Sequence, residues 1–83
     1  MQVLAIANDT TMGLTNYVFT ENISRGWRCF EALESGQVAL NNGNATAPEA
    51  PFGGIKESGF GKEGGFKYGV EDFCHVRTCA LAL

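Results

Sequence analysis

The chain has 83 residues, 45% of them hydrophobic, with 9 acidic against 6 basic side chains and a formal net charge of -3. That length admits at most one small domain of marginal stability, and an acidic balance without any basic cluster excludes nucleic-acid recognition. No run nears the roughly 18 apolar residues of a membrane-spanning helix.

The first element, Met1 to Ala7, is an apolar run compatible with either the last turns of a helix or a strand, because periodicity does not separate the two at this length. Asn8-Asp9-Thr10-Thr11 marks a turn after it. Leu14 to Thr20, LTNYVFT, is rich in the residue types that suit a pleated surface and predicts a strand. Asn22 then stands where its side chain can accept a hydrogen bond from a free amide of a following helix. Ile23, Trp27, Phe30 and Leu33 recur on one face of that helix. Gly36 occupies the place where a helix C-terminus accepts a left-handed residue. Gln37 to Asn42 follows as a second strand.

From Gly43 to Gly61 the sequence holds both prolines and no apolar periodicity. A loop of roughly 20 residues in a small domain predicts function, or contact with something outside it. Phe66, Val70 and Phe73 space a helix over Lys62 to Phe73, although Gly64, Gly65 and Gly69 oppose it. Val76 to Leu83, VRTCALAL, predicts a strand that is apolar on both faces and wants cover on both sides. The class is α/β, with strand-helix-strand over Leu14 to Asn42 consistent with one right-handed βαβ unit. Three strands and two helices do not close a core, and the terminal strand is suited to pairing elsewhere.

Cys29, Cys74 and Cys79 are an odd number without a C-x-x-C pair, which fits neither a disulfide framework nor a zinc site, so reduced thiols are expected. His75 and Cys79 lie four apart and form a ligand pair only on a helix, where a strand is predicted. No metal site is expected. The start MQVLAIANDTTMG lacks a basic n-region and the length of a secretory h-region, so the location expected is intracellular, cytoplasmic or mitochondrial. The sequons at Asn8, Asn22 and Asn44 then carry no glycan.

Gly59 to Gly64, GFGKEG, has the G-x-G-x-x-G spacing of a dinucleotide loop. That reading needs a buried strand before it and an acidic residue about 20 positions after it. Here Ile55-Lys56-Glu57-Ser58 precedes, with two adjacent charges, and the chain end is apolar. A phosphate loop fails too, since Glu63 follows Gly61-Lys62 where Ser or Thr is required. Paired glycines beside Phe52 and Phe66 point instead to backbone packed closely against another segment, with aromatic anchors.

The longer run Pro51-Phe52-Gly53-Gly54-Ile55-Lys56-Glu57-Ser58-Gly59-Phe60-Gly61-Lys62-Glu63 closely resembles the PFGG-x-K-x-SG-x-G-[RK]-E signature of the NAD(P)-dependent aldehyde dehydrogenases. AIANDTTMGLTNYVFT resembles that family's A-N-D-T-x-x-GL segment, and KYGVEDFCHV resembles its K-Y-G-[IV]-E-[DE]-[YF] close. The wording is nearest the succinate-semialdehyde dehydrogenase branch. The resemblance implies a C-terminal fragment of a longer enzyme. Residues 1–73 would belong to the catalytic domain, a partial α/β piece with strand-helix-strand, long Gly-rich loop and helix. Residues 74–83 would form an oligomerisation strand, Val76 to Leu83, that pairs with a second subunit.

The family's nucleophilic cysteine, general-base glutamate and nucleotide-binding domain would all lie upstream, in a missing N-terminal portion. The resemblance therefore implies no catalytic, cofactor-binding or metal residue in this chain. NAD or NADP would serve the parent enzyme, the substrate would be a small aldehyde, and the chain alone would be inactive. Two residues carry over to the substrate: Phe52, matching a phenylalanine beside the aldehyde tunnel, and Thr46, where semialdehyde-oxidising members carry a serine that helps hold the substrate carboxylate. The plainer alternatives are a packing anchor for Phe52 and a solvated loop hydroxyl for Thr46. Lys62 departs from the commoner arginine and loses its planar fork, so an ion pair made there is reshaped or weaker. Asn41 to Pro48 also departs from the branch's wording. Two other functions compete: a truncated relative that adds its strand to a full-length subunit without catalysis, and, as a foil, a small Gly-loop nucleotide binder.

Overall fold

The computed structural model describes residues 2–82. At its centre is a parallel pair, β2 (Thr15–Val18) beside β3 (Gln37–Leu40), in register from Thr15 opposite Gln37 to Val18 opposite Leu40. Helix α2 (Ile23–Ala32) makes the crossover, as a parallel pairing requires. Asn22 accepts a hydrogen bond from the Arg25 amide at 2.9 Å and so starts α2 as expected. Asn41, at the end of β3, takes the left-handed conformation with φ 54 that its short amide tolerates. Its side chain closes the βαβ unit by accepting from the Thr20 amide at 2.8 Å and donating to the Thr20 carbonyl at 3.0 Å.

The opening apolar run is helical: α1 spans Gln2–Asn8, and Met1 lies outside the described residues. The expected strand Leu14 to Thr20 is divided. Its core is β2, and a separate two-residue β1 (Met12–Gly13) pairs antiparallel with β4 (Ile55–Lys56) from the middle of the long loop. The loop is thus laddered onto the start of the βαβ unit, despite the adjacent charges that argued against a strand there.

Two further expectations are corrected, and a third concerns a strand expected to pair with another subunit. Helix α2 ends at Ala32 with Leu33 extended, so Gly36 caps nothing. Gly36 is needed for close approach, because a Cβ there would meet the Gly53 carbonyl oxygen at 1.8 Å. The helix over Lys62 to Phe73 shrinks to α3 (Tyr68–Glu71). Gly64 and Gly65 hold φ of 70 and 67, a left-handed pair that blocks helix propagation from Lys62. Val76 to Ala82 forms no strand among the described residues, and Leu83 lies outside them. A strand needs a neighbouring edge, and the one expected for this segment belongs to a second subunit.

Packing explains the elongated shape. Ala39, at 5% exposure, is the one buried hydrophobic residue among those described. The Cα radius of gyration is 17.0 Å, against about 12 Å for a compact domain of this length. The inner face of α2 is not the stripe of large residues: Gly26 is buried against Thr20 and Leu40, while Trp27 is 56% exposed and Ile23 and Phe30 are exposed with it. A small residue lets the helix approach the sheet closely, and the large ones are left outward. These residues form packing surfaces more than a core.

Candidate functional site

Two stretches far apart in sequence meet along β1 and β4. The Lys56 ammonium pairs with the Glu34 carboxylate and donates to the carbonyls of Asn8 at 3.1 Å and Thr10 at 3.3 Å. Asn8 in turn finishes α2, donating to the Ala32 carbonyl at 2.8 Å and accepting from the Glu34 amide at 2.9 Å. That satisfies two backbone groups at a helix end that would otherwise need water. Ser58 accepts from the Gly13 amide at 2.8 Å, and the Glu57 amide donates to the Thr11 carbonyl at 2.9 Å. Asn8, Gly13, Lys56 and Ser58 therefore hold each other. Their work is to place the Gly-rich loop.

The loop so placed makes one wall of a cleft of about 300 Å³, lined by Leu14, Phe52, Phe60, Lys62, Glu63 and Asp72 with the loop glycines between them. Phe52 is half-buried, and its backbone exchanges two hydrogen bonds with Glu63, each 2.7 Å. An aromatic wall is thus fixed by its own main chain. Phe60, flanked by Gly59 and Gly61, stands fully exposed at 105% on the rim.

Thr46 is not in that wall. It is exposed in the loop, its amide and hydroxyl both donating to the Asn44 side-chain oxygen at 2.9 Å and 2.6 Å. The single hydroxyl proton is engaged by Asn44, so donation to a substrate requires an exchange of partners. The structure brings Phe52 to the cleft and leaves Thr46 outside it.

Lys62, read above only as a lysine in place of the commoner arginine, makes no ion pair among the described residues. Its ammonium donates to the carbonyls of Gly53 at 2.6 Å and Gly36 at 3.4 Å. The sequence signal was available: a long cation next to glycines, whose bare carbonyls a rotatable ammonium can reach.

GFGKEG does not fit a dinucleotide. The preceding β4 is two exposed residues, and the next helix begins at Tyr68, past the last glycine of the motif. The motif thus lacks the buried strand before it and the helix at its last glycine that a pyrophosphate cradle requires. Among the described residues no group of three or more His, Cys, Asp or Glu is placed to hold a metal ion. Cys29 sits half-buried on α2, Cys74 and Cys79 are exposed, and none lines the cleft.

The geometry is matched by known proteins. The aldehyde dehydrogenase family model matches residues 1–79. The chain is 47% identical to a mitochondrial succinate-semialdehyde dehydrogenase of Arabidopsis thaliana over 94% of its own length and 15% of that protein. It is 44% identical to a glutarate-semialdehyde dehydrogenase of Pseudomonas putida over 99% of its length and 17% of that protein. The crystal structure of an aldehyde dehydrogenase from Brucella melitensis superposes with a TM-score of 0.80 at 53% identity, covering 87% of this chain and 15% of that one. The chain thus spans about a sixth of the length of the relatives it matches. With its matched segments folded as a partial α/β piece around one cleft, the chain belongs to the aldehyde dehydrogenase family.

Proposed function

We propose that these residues form the C-terminal part of the catalytic domain of a longer NAD(P)-dependent aldehyde dehydrogenase. Its substrate is a small semialdehyde, succinate semialdehyde first, which it oxidises to the acid. The observation that carries this reading is Phe52, held by the ladder with Glu63 as the aromatic wall of the cleft. The relatives described above are named for succinate and glutarate semialdehydes, and both carry a carboxylate at the end opposite the aldehyde. The Thr46 hydroxyl, outside the cleft and bonded to Asn44 in the free chain, serves such a group once it exchanges that partner for the substrate. Hydride acceptance, the thiolate nucleophile and the base belong to the upstream part. This chain's own residues shape the tunnel and keep water from it. Val76 to Leu83 pairs with a second subunit, and the chain alone is inactive. The enzyme works in the cytoplasm or the mitochondrion.

The test is steady-state kinetics on the full-length enzyme. Thr46→Val is expected to raise KM for succinate semialdehyde about tenfold, the worth of a hydrogen bond to a charged group, and to leave propanal unchanged. Phe52→Ala is expected to lower kcat/KM for both. Equal effects of Thr46→Val on the two aldehydes would remove Thr46 from the site, and no oxidation of any aldehyde by the unmodified enzyme would defeat the proposal. The second reading, a strand-adding module without catalysis, draws on the exposed segment Val76 to Ala82. It requires co-purification with a full-length subunit that is lost when residues 76–83 are deleted.

A further inference from the structure

We infer that Lys62 is a positioning residue: its ammonium, strapped between the Gly36 and Gly53 carbonyls, fixes where the Phe52 wall stands and so selects the width of aldehyde admitted. The inference rests on the cleft being the aldehyde site proposed above. It begins with an unusual choice of partners. Lys62 is half-buried, and its ammonium reaches two neutral oxygens, at 2.6 Å and 3.4 Å, instead of a carboxylate. The ion pair of this region is made by Lys56 with Glu34.

Space for the strap is made by two missing side chains. A Cβ on Gly36 would come within 1.8 Å of the Gly53 oxygen and 2.7 Å of the Lys62 ammonium. A Cβ on Gly53 would meet the Gly61 oxygen at 2.4 Å and the Lys62 stem at 3.1 Å. Gly36, Gly53 and Lys62 are therefore one device, in which each glycine opens the room that the lysine fills.

The device acts on Phe52 from both sides. Gly53 is the next residue along the chain from Phe52, so holding its carbonyl fixes the Gly53–Gly54 peptide, one residue beyond the aromatic ring's own Cα. Glu63, next to Lys62, pairs with the backbone of Phe52 itself. The far anchor is firm, because the Gly36 amide donates to the Gly13 carbonyl at 3.0 Å, where β1 meets β4 and the loop joins the βαβ unit. An ammonium is compact and turns freely to serve two carbonyls, whereas a guanidinium is a wider planar fork. Lys62→Arg is for this reason not a conservative change here.

The experiment uses the full-length enzyme with Lys62→Met, which keeps an unbranched stem and deletes the charge, and with Lys62→Arg. KM and kcat are measured for succinate semialdehyde and for benzaldehyde, a wider aldehyde. Expected for Lys62→Met is a KM for the semialdehyde raised about fivefold with kcat within about twofold, and a benzaldehyde-to-semialdehyde kcat/KM ratio raised at least as much; Lys62→Arg should fall between it and wild type. A role confined to stability lowers the thermal midpoint without moving that ratio. A folded Lys62→Met enzyme with the wild-type ratio overturns the inference, and if that variant does not fold, a wild-type ratio in Lys62→Arg overturns it equally. Hydrogen exchange at the Phe52 and Glu63 amides supplies a readout that needs no substrate. About tenfold faster exchange in the folded variant supports the strap, and unchanged exchange refutes it whatever the enzyme oxidises. A wild-type enzyme inactive on both aldehydes defeats the proposed function alone.

Discussion

Residues 8–63 and residues 65–82 hold similar shares of glycine, the second region being the more apolar, and they settle differently. In the first region Asn8, Gly13, Lys56 and Ser58 reach one another across more than forty positions, and nearly every link is a hydrogen bond to backbone. In the second, Phe66, Val70, Phe73, Val76 and Leu81 are all exposed, with Val76 at 92%. The outward stripe of α2, Ile23, Trp27 and Phe30, behaves like the second region. Polar backbone groups can be satisfied by a local partner. Apolar area cannot be buried without a second surface, and so large an exposed share of it marks an interface. The polar network therefore closes within these residues while the apolar faces stay uncovered.

That contrast can be broken at Trp27 first. Its ring packs on Phe30 at 5.2 Å and otherwise faces outward. Trp27→Ala is expected to cost about 3 kcal/mol in the full-length enzyme, where the stripe is covered. Thermal unfolding of the full-length variant with a wild-type midpoint would mean that the stripe is solvent-facing there too. Next in size is Lys56→Met, which removes the ammonium donor from the Thr10 carbonyl and leaves the Asn8 carbonyl with the Thr10 amide. It is expected to cost about 2 kcal/mol, and exchange at the Gly13 and Glu57 amides should quicken with it. Smallest is Asn22→Ala, at about 1 kcal/mol, the usual worth of a helix N-cap. Denaturant titration measures it, and a loss well above that figure would show that Asn22 does more than start α2.

What the sequence discloses follows the same division. Asn22 as cap, α2 as crossover and β3 after it are legible because each depends on residues a few positions apart. The family wording likewise marks Phe52, and the cleft receives it. The pairing of Met12 with Lys56 is illegible by pattern, since two-residue strands carry no periodicity and their contact is set by folding at a distance. Helix spacing over Phe66, Val70 and Phe73 is real but is outvoted by the left-handed Gly64 and Gly65. For α2 the large stripe suggests the inner face, whereas Gly26 occupies it; residue size misleads where the stripe finds no partner among the described residues. Lys62 escapes because a lysine strapping carbonyls leaves no opposite charge to notice.

The most direct measurement is complementation. The upstream part of the enzyme and these 83 residues are produced separately and co-expressed, and aldehyde-dependent NAD(P)H formation is followed by absorbance. The expected result is turnover of succinate semialdehyde only when both parts are present, and its loss when Phe52 is replaced by alanine. Turnover by the chain alone, or undiminished turnover by the upstream part without it, would contradict the account.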